Sequence, residues 1–400
     1  MNITVGKYIL HGSIAMSLVV SGVTLFNNFE SKDAIKIGVM TSLTGDMASR
    51  ERVLVNATEL AVEEINNNGG LLGRKVELVI LDGASDPKSF AKAAEHLILI
   101  DKVEAVFGCW TSSCRKSVLP VFEKYNHLLY YPAQYEGLEN SKNIIYLGSV
   151  PNQQMIPALE WSFSKFGKKV YLLGSDYVYP RAANQFIKDK IVQMRGEVVA
   201  ERYIKLGGDD FSTVVEEIKR LKPDAIFNTI DGVSNLHFFK SLRSSGIRSR
   251  DIPTFSFSIS ETEVADFKDI DMNGDFVVLS YLQGLTNPKN RDFIKSYQQK
   301  FGKDTSPDQI IASVYLGVHL WAKSVLEAGS SRVDRVRAFA SEKSVHGPSG
   351  MVYIEGETQH AWQQMHLAQI GEARVLKSVW RSNAPIPPIP YPVTRSRFQW

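Results

Sequence analysis

Short apolar runs alternate with helical periodicity along most of the chain, and this alternation restricts the fold more than any other feature. The apolar run at 35–40 ends in a loop, and in the following segment, 53–67, apolar residues recur every three or four positions. Asn68-Gly69-Gly70 ends that helix. Further strands of this first set are predicted at 76–81, 103–107 and 128–131. Strands that alternate with helices of this length predict an α/β fold, in which a parallel, doubly wound sheet is covered by helices on both faces.

A second set of elements repeats this alternation of strands and helices. Its predicted strands lie at 169–173, 198–204, 225–229 and 254–256, and its helices at 153–166, 180–195, 211–221 and 234–244. A mostly helical segment at 288–339, short strands at 351–354, 365–370 and 374–379 and a Pro-rich end follow. Because 400 residues exceed one ordinary core, we predict two lobes.

The first segment differs from the rest of the chain. Lys7 precedes a mostly apolar run from Tyr8 to Phe26, which is typical of a secretory signal or an uncleaved signal anchor. We therefore assign 1–32 to an export signal and expect a periplasmic or extracellular protein, either free or tethered to the membrane. No cysteine lies nearby, so a lipid anchor is not expected.

Charge and cysteine content exclude some classes of partner. Lys and Arg number 46 and Asp and Glu 43, which leaves a net charge of +3 with the basic residues scattered, so no nucleic-acid partner is expected. The two cysteines, Cys109 and Cys114, do not have the spacing of a metal site. We expect them not to bridge, because the segment between them turns from a strand end into a helix start.

The loops that follow predicted strands are rich in aromatic and polar side chains. In open α/β sheets, ligands bind at the carboxyl ends of the strands. Flat rings there can sandwich a flat ligand, and their polar tips can hydrogen-bond to it. The aromatic candidates are Trp110, Tyr131, Tyr135 and Tyr177.

Polar candidates occupy the same loops. Thr111 and Ser112 precede a predicted helix, where free N–H groups suit a ligand carbonyl, although capping of the helix is the simpler interpretation. Gln134 and Asp231 offer acceptors to the N–H₂ groups of an amide. Asp231 precedes Gly232, so a turn explains it equally well.

The sequence contains no catalytic constellation. It lacks a Gly-x-Ser-x-Gly elbow, a histidine pair at metal spacing and a phosphate-binding glycine loop. Cys109, Glu123 and Lys124 share one short segment whose geometry keeps Cys109 away from the other two. We therefore expect no enzyme, no cofactor and no metal.

Several motifs carry a family resemblance. The strand and loop at 35–45 (IKIGVMTSLTG) and the helix and turn at 61–74 (AVEEINNNGGLLGR) resemble periplasmic binding proteins of the branched-chain-amino-acid type. Narrower motifs are similar to the branch of that superfamily that binds urea and short-chain amides. They are GCWTS at 108–112, YPAQYEGLE at 131–139, PNQQ at 151–154 and GSDYVYPR at 174–181.

The resemblance implies a type I periplasmic binding fold, in which two doubly wound parallel-sheet lobes joined by three crossing strands close on a ligand. Lobe 1 would comprise 34–150 with 284–343, and lobe 2 would comprise 151–283 with 344–400, including the Pro-rich tail. The ligand would then pass to an ABC permease in the membrane. The pocket that the resemblance implies holds Trp110, Ser112, Tyr131, Gln134, Tyr177 and Asp231.

Within this branch, polar residues at Gln134 and Asp231 favour urea, which has one more N–H₂ group to satisfy than acetamide. Two alternatives keep the same fold. One is an amide sensor that regulates another protein. The other is a branched-chain amino acid receptor, in which Asp231 or Glu261 would accept the ligand's ammonium group.

Overall fold

A computed structural model of the protein describes residues 33–392, so the predicted leader at 1–32 lies outside the described residues. The elements alternate as the sequence predicts. The first group is β1 (Ile35–Thr41), α1 (Ala48–Glu51), α2 (Val53–Asn67), β2 (Val76–Asp82), α3 (Pro87–Leu99), β3 (Val106–Gly108), α4 (Ser112–Lys124), β4 (Leu129–Tyr131) and β5 (Ile144–Tyr146).

The second group follows directly. It is α5 (Pro151–Lys165), β6 (Lys169–Ser175), α6 (Val178–Gln193), β7 (Glu197–Ile204), α7 (Ser212–Leu221), β8 (Ala225–Thr229), α8 (Ser234–Ser244), β9 (Thr254–Ser256), α9 (Glu261–Asp266) and β10 (Phe276–Leu279). The remaining elements are α10 (Pro288–Phe301), α11 (Gln309–Ala328), α12 (Val333–Ala340), β11 (Lys343–Gly347), β12 (Gly350–Ile354), β13 (Ala361–Trp362), β14 (His366–Ile370) and β15 (Leu376–Arg381).

The strands form two large sheets, one in each lobe. The sheet of lobe 1 has the order β2-β1-β3-β4-β5 and is parallel throughout. The sheet of lobe 2 has the order β15-β14-β10-β9-β8-β6-β7, parallel from β10 to β7, with β14 and β15 antiparallel at one edge. The predicted α/β architecture of two lobes is confirmed.

Alternate residues along the central strands face opposite layers of helices, because side chains of a strand point to opposite faces. In β6, Val170 and Leu172 pack with α5 and α6, whereas Tyr171 and Leu173 pack with α7 and α8. In lobe 1, α3 and α4 cover one face, and α12 with the C-terminal part of α11 covers the other. By length and composition α11 could cross a membrane, but most of it is buried in this core, as in the central helix of a soluble domain.

A small antiparallel sheet of order β11-β12-β13 belongs to neither large sheet. Its residues Val352, Ile354 and Ala361 are buried in the same core as Trp321 of α11. The structure therefore divides the segment 344–400 that we assigned to lobe 2. Residues 343–362 pack on lobe 1, and β14 and β15 complete the sheet of lobe 2. A period-two pattern predicts a strand but does not specify the sheet that it joins.

The chain crosses between the lobes three times, at 147–150, 280–287 and 363–365. Buried glutamines connect these crossings. Gln154 Nε2 donates to the carbonyl oxygen of Val278 at 2.7 Å, and Gln363 Nε2 donates to that of Leu147 at 2.6 Å. The PNQQ motif at 151–154, one of those that carry the family resemblance, thus lies at the hinge.

The segment 382–392, which we call the tail, returns from lobe 2 to lobe 1. Ile386 and Gln363 exchange backbone hydrogen bonds of 2.8 and 3.3 Å. Farther along, the backbone N–H of Leu138 in lobe 1 donates to the carbonyl oxygen of Pro390 at 2.8 Å. The tail therefore forms a fourth link beside the three crossings.

Candidate ligand-binding cleft

Side chains cross the space between the carboxyl ends of the two sheets, which we call the cleft. Gln134, after β4, donates from Nε2 to the carbonyl oxygen of Phe257 at 3.3 Å and lies 3.5 Å from Ser258 Oγ. Arg50, in α1, donates to the carbonyl oxygen of Ser258 at 3.3 Å and forms an ion pair with Glu263 of α9. The lobes are in direct contact, which is the closed arrangement of a hinged binding protein.

Asp231 supplies a buried carboxylate to the cleft, since only 3% of the residue is exposed. Its backbone N–H donates to Ser175 Oγ at 3.0 Å, and its carboxylate accepts a hydrogen bond from the Tyr177 hydroxyl. Burial raises the pKa of Asp231 above its ordinary value, although the Tyr177 hydroxyl and the Arg50 charge oppose the shift. The neighbouring strands β6 and β8 thus bring two predicted site residues together.

Arg50 is a cleft residue that the sequence pattern does not predict. Its guanidinium lies 5.2 Å from the ring centroid of Trp110, which is cation–π geometry. Burial alone would lower the pKa of Arg50, but the carboxylates of Glu263, Asp231 and Asp308 outweigh it and raise that pKa. Helix α1 has only four residues and no apolar period, so the sequence pattern indicates neither the helix nor a site residue within it.

Acidic groups outnumber Arg50 in this part of the cleft. Asp308 caps α11 by accepting from the backbone N–H groups of Ile310 and Ile311 at 2.9 and 3.0 Å. It also accepts from Ser260 Oγ of lobe 2 at 3.1 Å. Burial raises the pKa of Glu263 to about 6, against the opposing charge of Arg50. The Ser260-x-x-Glu263 spacing is a capping-box signature that was visible in the sequence.

Trp110 and Tyr131 are both buried at the lobe 1 side of the cleft. The Tyr131 hydroxyl donates to the carbonyl oxygen of Trp110 at 2.7 Å, so Tyr131 supports the loop that carries Trp110. Thr111 caps α4, because its side-chain oxygen accepts from the backbone N–H of Cys114 at 3.1 Å. Capping, the simpler interpretation of Thr111, is what the structure shows.

Ser112 and Tyr135 lie behind the cleft in a buried network centred on Arg115. Ser112 Oγ donates to Glu136 at 2.5 Å and accepts from Arg115 at 3.1 Å. The Tyr135 ring centroid lies 4.1 Å from the Arg115 guanidinium, and the Tyr135 hydroxyl is hydrogen-bonded to His360. The structure therefore does not bring these two predicted ligand contacts to the cleft, and their polar groups are satisfied within the protein.

Cys109 and Cys114 form a disulfide, so the expectation that they would not bridge was wrong. Cys109 has a positive φ of 58°, which turns the chain sharply after β3. The first turn of α4 then brings Cys114 back, so that the two Cα atoms lie 5.7 Å apart, within the range of ordinary disulfides. The strand-to-helix turn that we took as an obstacle is what closes the ring.

A cavity of about 180 Å³ adjoins the cleft on the side of α1 and α4. Thr111 and Tyr177 line it together with Cys114. Its walls come from both lobes, since Leu206 follows β7 of lobe 2. Part of the cavity exists only while the lobes are closed.

Two doubly wound lobes, three chain crossings and a polar cleft at the carboxyl ends of the strands define a two-lobed solute-binding protein of the type I periplasmic class. Residues 35–397 match the family described as periplasmic binding protein domain, and the chain belongs to this family. Proteins of this family bind small molecules outside the cytoplasm and deliver them to ABC permeases. The predicted class is thereby confirmed.

Known proteins similar to this chain include receptors of different specificity. A Leu/Ile/Val-binding protein homolog of Brucella melitensis is 24% identical over 85% of this chain and 88% of its own length. A solute-binding protein of Rhodopseudomonas palustris HaA2, solved with p-hydroxybenzoic acid, has a TM-score of 0.82 at 22% identity and covers 89% of this chain and 98% of its own. A leucine-binding protein of Thermotoga maritima has a TM-score of 0.78 at 21% identity, covering 88% and 99%. These likenesses show the fold.

Proposed function

We propose that this protein captures a small, uncharged, donor-rich molecule, with urea or a short-chain amide as the leading candidate, and delivers it to an ABC permease. The observation that carries the proposal is the buried carboxylate of Asp231, which faces the cleft beside the Tyr177 hydroxyl. The Tyr177 hydroxyl uses only part of the accepting capacity of this carboxylate, and a ligand with N–H groups can supply further donors. Gln134, at the facing edge of lobe 1, has an amide oxygen that lies 3.5 Å from Gln309 Nε2 and retains a lone pair for a ligand N–H group.

The charge of the cleft favours such a ligand over a carboxylate. Arg50 is the cation of the described cleft, and it is already paired with Glu263. A benzoate-like ligand would have to compete for Arg50 with that carboxylate and would bring a second negative charge close to Asp231. An uncharged amide avoids both costs.

A branched-chain amino acid is the second candidate. Asp231 and Glu263 are both placed where an ammonium group could approach; Asp231 is buried, and 14% of the Glu263 side chain is exposed. A Leu/Ile/Val-binding homolog is among the similar proteins. This candidate also needs free donors for the ligand's carboxylate, and Arg50, as the available cation, is engaged by Glu263.

Calorimetric titration of the protein with urea, acetamide, formamide, leucine and 4-hydroxybenzoate tests the proposal. A four-atom ligand at a ceiling of about 1.5 kcal/mol per heavy atom binds with roughly 6 kcal/mol, which corresponds to tens of micromolar. We expect urea or an amide to bind in that range and the two acids to bind more weakly. Tight binding of leucine or 4-hydroxybenzoate alone would overturn the proposal.

A further inference from the structure

The cavity beside the cleft has no role in binding a four-atom ligand such as urea. It shares Tyr177 and Thr111 with the candidate site, and Tyr177 is the donor to Asp231. A molecule held at Asp231 therefore has open space next to it on the side of Tyr177. The cavity volume is about 180 Å³, and a dry cavity of roughly 150 Å³ accommodates benzene.

The walls of the cavity are mainly apolar. Met47 and Phe90 belong to the core of lobe 1 and are buried, and Pro87 completes that side. From lobe 2, Leu206 packs against the same core cluster. A substituent placed here is enclosed by both lobes, so its burial adds to the contacts that favour the closed state.

Glu51 is the most buried of the polar residues that line the cavity, with only 1% of the residue exposed. The other polar residues of the lining include the exposed Asp46 and the hydroxyl residues Ser85, Thr111 and Ser113. Glu51 Oε2 accepts from the backbone N–H of Ser42 at 2.6 Å. Burial raises the pKa of Glu51 to about 7, against the hydrogen bonds from Ser42 and Thr41, so its carboxyl does not impose a full charge on the cavity at neutral pH. An uncharged group is therefore tolerated beside it.

We propose that the cavity is a subsite for an apolar substituent, so that an N-substituted amide or urea binds more tightly than urea itself. The polar head lies at Asp231, Tyr177 and Gln134. The substituent, of about four to six heavy atoms by comparison with benzene, lies against Met47, Phe90 and Leu206. This inference rests on the proposed function and specifies its ligand class.

Calorimetry with urea, N-butylurea and N-phenylurea tests the subsite. We expect the two substituted ureas to bind at least 10-fold more tightly than urea. Equal or weaker binding of both substituted ureas, while urea itself binds, overturns the subsite and leaves the proposed function intact. If no urea or amide binds at all, the proposed function fails and this inference fails with it, so the two failures are distinguishable.

A filling variant provides an independent readout. Leu206 is half-buried at the rim, so Leu206→Trp reduces the cavity without entering a fully packed core. We expect the ratio of the urea Kd to the N-phenylurea Kd to fall from at least 10 toward 1. The control is Val192→Trp, at an exposed site, where the ratio stays as in the wild type. An unchanged ratio in folded Leu206→Trp contradicts the subsite, and the wild-type series decides the matter if that variant does not fold.

Discussion

At the scale of single residues, the cleft is built around charges that the protein itself buries. Asp231 and Glu263 both have raised pKa values because of burial, and Arg50 lies among them. A buried carboxylate is stabilised by each donor that it receives. Asp231 accepts from Tyr177, and Glu263 accepts from Ser260 and pairs with Arg50. A bound ligand therefore adds donors to carboxylates that the protein has already partly satisfied.

Asp231→Ala removes the carboxylate that we assign to the ligand's N–H groups. We expect ligand binding to weaken by about 1–3 kcal/mol, since a hydrogen bond to a charged group is lost from a closed cleft. Calorimetry against the ligand that binds best gives the Kd. Asp209→Ala, at an exposed position in lobe 2, is the matched control and should bind as the wild type does. Unchanged affinity in Asp231→Ala would exclude Asp231 from the site.

Glu51 makes the stability of the protein depend on pH. Its pKa is about 7 in the folded protein, above the ordinary value of 4.5, so the folded state binds this proton more tightly than the unfolded chain does. The contribution is complete below pH 4.5 and is lost as the pH rises through 7. Glu51→Gln removes this dependence, and we expect the variant to gain about 2–3 kcal/mol over the wild type between pH 4.5 and 8.

Chemical denaturation at several pH values measures that difference. Glu77→Gln, at an exposed position in β2, is the matched control for the substitution itself. A difference for Glu51→Gln that does not vary with pH would show that the Glu51 carboxyl is not desolvated in the folded protein.

Residue types in strand-end loops predicted part of the cleft, and their role in ligand binding stays a prediction. Asp231, Tyr177, Gln134 and Trp110 could be found because each follows a strand whose apolar run is clear. Arg50 could not, because its place in the cleft depends on how the two lobes meet, which is a long-range property. Ser112 and Tyr135 share the same loops but point into the protein, and loop position alone does not separate the two directions. Whether such a side chain faces the cleft or the interior depends on its polar neighbours, as with Glu136, which accepts the hydrogen bond of Ser112.

At the scale of elements, two separate interactions hold the turn between β3 and α4 in one conformation. A disulfide closes it, and the Thr111 side chain caps the helix that follows. Trp110 lies inside the closed ring, between Cys109 and Cys114. The ring thus holds in place an aromatic residue of the cleft.

Replacing both cysteines by serine tests this constraint. For so short a loop, the chain-entropy account of a disulfide gives about 2 kcal/mol of stabilisation, so we expect the double variant to melt several degrees lower. Reductant should lower the Tm of the wild type in the same way and leave that of the double variant unchanged. Equal melting of wild type and variant under oxidising conditions would show that the bridge does not stabilise the fold.

Elements with many buried residues at a regular period were predicted best. The predicted bounds of α2 and α8 agree with the structure, whereas β5 and β10 were not predicted at all. These strands have only three and four residues, and each is buried on both faces, so no alternation distinguishes it from its surroundings. Their pairing with β4 and β9 is what makes them strands.

At the scale of the whole molecule, closure rests on few direct contacts. Arg50 reaches Ser258 and Glu263, Gln134 reaches Phe257, and Ser260 donates to Asp308. These contacts hold the lobes together through the protein's own side chains, and a ligand adds to them. The equilibrium between open and closed forms is therefore sensitive to single residues at the cleft.

Arg50→Ala should shift that equilibrium toward the open form. The loss of Arg50 leaves the mostly buried Glu263 carboxylate without its cation, which is expected to cost the closed form about 3 kcal/mol and to weaken ligand binding roughly 100-fold. Small-angle X-ray scattering of the ligand-free protein should show a larger radius of gyration. Arg52→Ala is the control, because Arg52 is exposed and donates to Leu43 within lobe 1 at 2.8 Å. An unchanged radius in Arg50→Ala would mean that the ion pair does not contribute to closure.

The tail that returns to lobe 1 has a mechanical consequence. Two rigid bodies joined at one point can rotate relative to each other in any direction. Each additional link along one edge removes some of that freedom. In this protein the three crossings and the tail are four such links, and hydrogen bonds of Gln363 connect some of them to one another. Links of this kind favour rotation of the lobes about the edge where the links lie over twisting or sliding. A permease that recognises the closed shape would then meet a narrow range of geometries.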